Sequence, residues 1–147
     1  MNVLNLLIPR ANCCVLRDTD TLRQGLDKMR HHGHDALPVI TADGKYAGCV
    51  REGDFLWHLL RHGGDMRAQE QYRVRDILRP SLQPAVRCGV TMDELLERAE
   101  YENFIPVLDD RDCLCGIITR RSILRAMQAE RKYPPAPVES RTPIYIN

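Results

Sequence analysis

The sequence lacks any long hydrophobic run and any large excess of one charge. No stretch approaches the roughly 18–20 apolar residues that a membrane-spanning helix needs. The N-terminal segment MNVLNLLIPR has neither a basic leader nor a small-residue cleavage site, so we do not expect a signal peptide. The formal net charge of +1 at pH 7 argues against a general polyanion binder, although a local basic patch is compatible with it. We therefore expect neither a membrane nor a nucleic acid as partner.

Motifs that carry catalysis are also missing. The sequence contains no nucleophile elbow, no phosphate-binding P-loop and no His-Glu zinc motif. Carboxylates are plentiful, but nothing in the sequence pairs two of them in one cleft. The sequence therefore predicts a protein that is not an enzyme.

No C-x-x-C motif is present among the six cysteines, which are Cys13, Cys14, Cys49, Cys88, Cys113 and Cys115. Their even number would suit disulfides, but most of them lie in predicted strands as small hydrophobic residues and nothing supports secretion. We therefore expect a cytoplasmic protein with reduced thiols. The histidines His31, His32 and His34 span a helix end and a glycine turn, which favours a polar surface over a zinc site.

What the sequence does contain is an internal repeat. Residues 36–56 (ALPVITADGKYAGCVREGDFL) recur as residues 104–124 (FIPVLDDRDCLCGIITRRSIL). Every matched pair is 68 positions apart, as Pro38 is from Pro106 and Gly48 from Gly116. Each copy shows an apolar strand, a polar turn, a second apolar strand and a helix. Two copies of one unit indicate a duplication.

The apolar spacing predicts five elements in each copy. The first copy is predicted to contain a strand at 13–16, a helix at 21–32, strands at 36–40 and 46–51, and a helix at about 54–62. Asp20 or Thr19 is the expected N-cap of the first helix, and Gly33 is expected to end it. A polar linker over 63–71 and a helical lead-in at 74–78 follow. The second copy is then predicted to contain a strand at 84–87, a helix at 91–101, strands at 104–108 and 114–119, and a helix from 120 to about 131.

The predicted fold class is α/β (α+β), with two pseudo-symmetric β-α-β-β-α repeats packed as one compact module. Neither repeat is large enough to bury its sheet alone, so the two must pack together. We predict the first repeat at 1–66, the second at 67–132, and a proline-rich tail at 133–147.

The duplicated pattern resembles a tandem pair of CBS domains, the regulatory modules first described in cystathionine β-synthase. The resemblance covers about residues 4–131 and is carried by Leu37-Pro38-Val39 and Ile105-Pro106-Val107, together with the blocks at 43–48 and 116–119. It implies a non-catalytic regulatory sensor that binds an adenine nucleotide (AMP, ADP or ATP) as regulatory ligand, without a catalytic cofactor, in a cleft between the repeats. It also implies a homodimer and an unidentified regulated protein as partners.

The resemblance also implies site residues. In the family, a Gly-h-h-(Thr/Ser)-x-x-Asp motif holds the ribose and phosphate end of the ligand. The first copy keeps the carboxylate as Asp54 but has Arg51 in place of the hydroxyl, whereas the second keeps Thr119 but has Ser122 in place of the carboxylate. A serine lacks the charge-assisted hydrogen bonds of a carboxylate. We therefore expect the better adenosine site beside Asp54 and a weak or empty one beside Ser122.

The adenine base is expected against the start of the first strand and the residues before the hydrophobic-Pro pair. By resemblance these are Asn12, Cys13, Asp35, Ala36, Asn103 and Phe104. Arg120 and Arg121 are expected near phosphates bound at Asp54. Simpler interpretations stay open, because Asp54 can cap its helix without a ligand and Arg51 can be a solvated strand end.

A second hypothesis is a ligand-independent interaction or dimerisation scaffold with degenerate sites. The replaced motif residues Arg51 and Ser122 are its support. Trp57, which follows Asp54 on the same helix, is predicted to lie in the core or on a dimer face.

Overall fold

A computed structural model of the chain describes residues 2–65, 67–80 and 82–130. The proline-rich tail predicted at 133–147 lies outside the described residues. The strands are β1 (Ile8–Pro9), β2 (Leu16–Arg17), β3 (Ala36–Ile40), β4 (Tyr46–Arg51), β5 (Val86–Arg87), β6 (Phe104–Leu108) and β7 (Leu114–Thr119). The α-helices are α1 (Leu22–His32), α2 (Glu52–Arg61), α3 (Ala68–Gln71), α4 (Val74–Ile77), α5 (Met92–Ala99) and α6 (Arg120–Glu130).

The strands form two sheets that repeat one arrangement. One sheet has the order β2-β3-β4 and the other the order β1-β7-β6-β5. In each repeat the first strand runs parallel to the second, and the second forms an antiparallel hairpin with the third. The register shifts at the same place in both hairpins, after Val39 and after Val107. The predicted α/β duplication is confirmed.

The four hairpin strands begin and end at the predicted residues. Their long apolar runs are buried, and the polar turns between them are the expected breaks. The two hairpin turns also pair with each other across the repeats. The backbone N–H of Tyr46 donates to the carbonyl of Asp112 at 3.1 Å, and that of Leu114 donates to the carbonyl of Gly44 at 3.0 Å.

The helix α1 begins one residue later than predicted, and its N-cap is Thr21. The Thr21 hydroxyl accepts a hydrogen bond from the Gln24 backbone N–H, and the Gln24 side chain accepts from the Thr21 N–H. This reciprocal capping box replaces the expected cap by Asp20 or Thr19. Gly33 ends the helix in the left-handed conformation, as predicted, with φ of 65°.

Other boundaries differ from the predictions because tertiary contacts decide them. The first strands are only two residues long, because each pairs with the neighbouring strand, β3 or β6, over two residues. The helix α2 begins two residues earlier than predicted, because Asp54 caps it from its third position. The predicted linker contains the helix α3, which packs on α1 and buries Gln69.

The two hydrophobic cores interlock, because each is packed by residues from the segment that leads into the other repeat (its lead-in segment). The core of the first repeat includes Val74, and Tyr72, Ile77 and Leu78 pack against it, although these residues lie in the range predicted for the second repeat. Conversely, Val3, Leu6 and Leu7 at the N-terminus pack against the core of the second repeat. Each repeat therefore completes the core of the other. The domain boundary predicted between 66 and 67 stays a prediction.

Backbone contacts reinforce this exchange. The strand β1 pairs with β7, with Ile8 opposite Ile117, and Arg79 pairs with Cys49 in the same manner in the other repeat. Both contacts need a glycine. A Cβ atom on Gly116 would collide with the carbonyl of Ile8, and one on Gly48 would lie 2.7 Å from the carbonyl of Arg79.

Candidate functional site

A cleft of about 300 Å³ lies at the seam between the two repeats. Its walls are formed by Ile8, Asn12, Cys13, Cys14, His34, Asp35, Ala36, Leu37, Pro38, Asn103, Phe104, Ile117 and Thr119. The cleft thus brings together six of the predicted site residues, namely Asn12, Cys13, Asp35, Ala36, Phe104 and Thr119. The less certain candidate Asn103 joins them.

The hairpins position these residues through equivalent contacts. Ala36 lies opposite Arg51 in one hairpin, and Phe104 lies opposite Thr119 in the other. The backbone N–H of Glu52, the first residue of α2, donates to the carbonyl of Asp35 at 3.0 Å, just before β3. In the same way, the backbone N–H of Arg120, the first residue of α6, donates to the carbonyl of Asn103 at 2.9 Å, just before β6. The pairing of β1 with β7 then sets the turn at Arg10–Asn12 beside the cleft.

The lining suits a flat, partly polar ligand. Ile8, Leu37, Pro38, Phe104 and Ile117 supply apolar walls, while Asn12, Asp35 and Thr119 are polar residues of the same lining. Small-molecule sites generally combine apolar walls with a few fixed polar groups, and the cleft volume lies at the lower end of their range. An apolar wall can cover the faces of a base, and a carboxylate or amide can bond to its edge or to a sugar hydroxyl.

Thr119 and Ser122 bond to each other at the start of α6. Their hydroxyl oxygens are 2.8 Å apart, and the Ser122 backbone N–H donates to Oγ1 of Thr119 at 3.1 Å. Thr119 therefore caps the helix and lines the cleft at once. Ser122 is half-buried and is not among the lining residues.

Asp54 lies in a different place from the other candidates. It lines a separate cavity of about 530 Å³ between α2 and the segment that leads to Arg79. Its carboxylate is 8% exposed and is already occupied. Oδ2 accepts from the backbone N–H of Arg51 at 2.8 Å, and Oδ1 accepts from Nε of Arg79 at 2.6 Å. Asp54 is not among the residues that line the cleft with Asn12, Cys13, Asp35 and Ala36.

The exchange of lead-in segments explains this separation. Because β1 pairs with β7, the N-terminal residues of the first repeat face Thr119 of the second repeat. Arg79 takes the equivalent place beside Asp54, since it pairs with Cys49 on β4. Each helix start thus meets the lead-in of the other repeat. Whether Asp54 binds a ligand stays a prediction.

The three predicted arginines do not line the cleft. Arg51 and Arg121 are exposed, and Nε of Arg120 donates to the backbone carbonyl of Ala99 at 2.6 Å. Within the described residues, neither Arg120 nor Arg121 forms a hydrogen bond or ion pair with Asp54, so their expected role beside phosphates bound there stays a prediction.

The cysteines of the cleft carry neutral thiols. Burial raises the pKa of the Cys13 thiol and that of the Cys14 thiol above the ordinary value. Sγ of Cys13 also donates to the carbonyl of Pro9 at 3.3 Å. A reactive cysteine needs a lowered pKa, so these side chains act as small polarizable wall groups.

A cluster of aromatic rings that was not predicted from the sequence lies beside Asp54. The rings of His58 and His62 stack with centroids 4.1 Å apart, and Tyr72 meets His58 edge-on at 4.4 Å. His58 is 6% exposed, and burial together with the nearby His62 lowers the pKa of its imidazole. The sequence signal for this cluster is the spacing of His58 and His62, which are four positions apart and therefore neighbours on one helix face.

Two classes of site are not found in the part of the chain that the structure describes. Within residues 2–65, 67–80 and 82–130, no group of three His, Cys, Asp or Glu side chains could hold a metal ion. Among the same residues, no helix has the length and apolar content needed to cross a membrane.

Comparison with known proteins agrees with the fold. The sequence pattern of the CBS domain matches twice, at residues 8–61 and 74–129. A CBS domain protein from Streptococcus pneumoniae superimposes with a TM-score of 0.79 at 26% identity, covering 85% of this chain and 85% of that one. No curated protein sequence matches the chain.

Two further structures of similar fold were solved with nucleotides. CbpB in complex with c-di-AMP has a TM-score of 0.81 at 22% identity and covers 88% of this chain and 85% of its own. CBSX2 in complex with AMP has a TM-score of 0.72 at 24% identity and covers 88% and 98%. The two sequence matches together span well over half of the chain. The chain belongs to the CBS domain family and carries two CBS domains in tandem.

Proposed function

We propose that the chain is a non-catalytic regulatory module that binds an adenine nucleotide in the cleft lined by Asn12, Cys13, Asp35, Ala36, Phe104 and Thr119. The single observation that carries the proposal is the convergence of these residues, chosen from sequence, on one cavity with apolar walls. The nucleotide complexes of CbpB and CBSX2 support the same ligand class.

The choice between the two helix starts follows from their contacts. The Asp54 carboxylate is bonded to Arg79 and Arg51 and would have to give up Arg79 to accept ribose hydroxyls. The hydroxyl of Thr119 lines an open cleft and can form a further hydrogen bond besides those with Ser122. We therefore assign the nucleotide to the Thr119 cleft, the reverse of the preference drawn from the sequence.

The experiment is a titration with adenosine, AMP, ADP and ATP, followed by calorimetry and thermal unfolding. Saturating ligand should stabilise the fold by about 2.7 kcal/mol at a hundredfold excess over the dissociation constant. Ala36→Phe places a ring in the cleft and should weaken binding at least about tenfold, because the site is then filled. Ala42→Phe, in the exposed hairpin turn, is the matched control and should bind normally.

A homodimer through α2 is part of the proposal. Leu56, Trp57 and Leu60 lie on one face of α2 and stay more than half exposed, and Leu124 occupies the equivalent position of α6. Exposed apolar side chains grouped on one helix face are typical of interaction surfaces. Such a surface gives bound nucleotide a way to act on assembly, because a ligand shifts any equilibrium in which it prefers one state.

The alternative is a ligand-independent dimerisation scaffold. The occupied carboxylate of Asp54 and the exposed face of α2 favour it. Under this alternative the protein dimerises but none of the four ligands shifts its thermal unfolding. A cytoplasmic location stays a prediction under either function.

A further inference from the structure

A second, more open groove lies next to the cleft. This groove has a volume of about 460 Å³ and shares Asn12, Cys13, Cys14 and His34 with the cleft. It is lined by the turn at Arg10–Asn12, by residues up to Arg17 and by Lys28 and His32 of α1. The cleft and the groove are therefore adjacent at Asn12 and Cys13.

Cationic side chains line this groove. Arg10, Arg17 and Lys28 contribute to its walls, and no carboxylate is among its lining residues. Nζ of Lys28 is paired with Asp20 at 2.8 Å, which offsets part of its charge. Within the described residues the guanidinium groups of Arg10 and Arg17 form no hydrogen bond or ion pair. Both guanidinium groups are therefore available to bind a ligand in the groove.

The helix dipole does not account for these arginines. Cations near the C-terminus of a helix are favourable, but neither Arg10 nor Arg17 lies on α1. Arg10 and Arg17 belong to other segments, one on each side of the cleft residue Cys13. Two arginines held on separate segments and facing one groove are suited to an anion, because guanidinium groups bond phosphate in a forked geometry.

We infer that the cleft and the groove together form one site for a nucleotide carrying two or more phosphates, with the base in the apolar cleft and the phosphates between Arg10 and Arg17. This inference rests on the proposed function and adds to it the number of phosphates on the ligand and the direction in which the ligand lies. It also replaces Arg120 and Arg121, which do not line the cleft, as the source of positive charge.

The test compares adenosine, AMP, ADP and ATP by calorimetry with EDTA present, at low and at high salt. Affinity should rise from AMP to ATP by about tenfold at low salt, and the gain should shrink at high salt because exposed charges are screened. The double variant R10A/R17A should lose about threefold to fivefold of the ATP affinity per arginine and leave adenosine binding unchanged. R10K/R17K should retain only part of the gain, because an ammonium group keeps the charge but not the forked geometry.

Arg30→Ala is the matched control, since Arg30 is an exposed arginine of α1 that lines neither cavity. It should bind ATP as the parent does. Equal affinities for AMP and ATP, or a gain that survives R10A/R17A, would overturn the inference and leave the proposed function standing if adenosine binds. Failure of all four ligands to bind would overturn both.

Discussion

Asp54 and Arg79 form an ion pair that joins the start of α2 to the lead-in of the second repeat. Nε of Arg79 lies 2.6 Å from Oδ1 of Asp54, while the other carboxylate oxygen caps the helix through the N–H of Arg51. The carboxylate that the sequence suggested for a ribose is thus part of the structural contact between repeats. Its partner is 25 positions away, and no local motif announces it.

Arg79→Ala should destabilise the fold, because it leaves the buried Asp54 carboxylate without its charged partner. The Arg79 side chain is about half exposed, so solvent screening limits the loss to about 1 kcal/mol. Urea unfolding measures it, with Arg75→Ala on the exposed side of α4 as control. Equal stability of the two variants would show that the pair contributes nothing.

Acidification should destabilise the protein through His58. Burial lowers the pKa of the His58 imidazole in the folded protein, so below the unfolded pKa of about 6.5 the unfolded state binds the proton more readily. Stability is therefore complete above that pH and falls as the pH drops toward the folded pKa. His58→Gln should flatten this part of the stability–pH curve measured by urea unfolding.

The exposed His31 supplies the control for this pH dependence. It lies in the last turn of α1, outside the stacked cluster, so His31→Gln should leave the curve unchanged. A parent protein whose stability stays constant between pH 7 and pH 5.5 would contradict the assignment to His58.

The interlocked cores should unfold together. Ile105→Ala in the core of the second repeat should cost roughly 2–5 kcal/mol, because Ile105 is fully buried. The only tryptophan, Trp57, lies on α2 of the first repeat and reports on that half by fluorescence. In the Ile105→Ala variant, the unfolding midpoint measured by Trp57 fluorescence should fall by the same amount as the midpoint measured by circular dichroism. A Trp57 transition that stays at the parent value would show that the repeats unfold independently.

Leu60→Glu should dissociate the proposed dimer, because it places a charge on the apolar face of α2. Leu60 is 65% exposed, so the substitution should leave the monomer fold intact. Sedimentation equilibrium at several concentrations provides the measurement. Tyr101→Glu is the control, since Tyr101 is the more exposed but does not belong to α2 or α6. A parent protein that is monomeric at all concentrations would rule out the dimer.

The predictable parts of the fold were those specified locally. The hairpin strands were predicted to the residue because their apolar runs end at polar turns and are repeated 68 positions later. The first strands were predicted too long, because pairing with β3 and β6 decides their two-residue length. The cap by Thr21 depends on Gln24 three positions on, a spacing that was present but not used.

The site was predictable in its residues but not in its grouping. Asn12, Asp35, Ala36 and Thr119 were all named from sequence, and the structure brings them into one cleft. Which helix start faces which strand depends on the pairing of Ile8 with Ile117, a contact between the two ends of the chain. Local patterns carry no information on such a contact, so the sequence could not show that Asp54 lines a different cavity.

A crystal structure of the protein grown with ATP would show which cleft holds the nucleotide. We predict density for adenine between Pro38 and Phe104 in the Thr119 cleft, with the phosphates beside Arg10 and Arg17. Density for the nucleotide at Asp54 with Arg79 displaced, or an empty Thr119 cleft at saturating ATP, would contradict it.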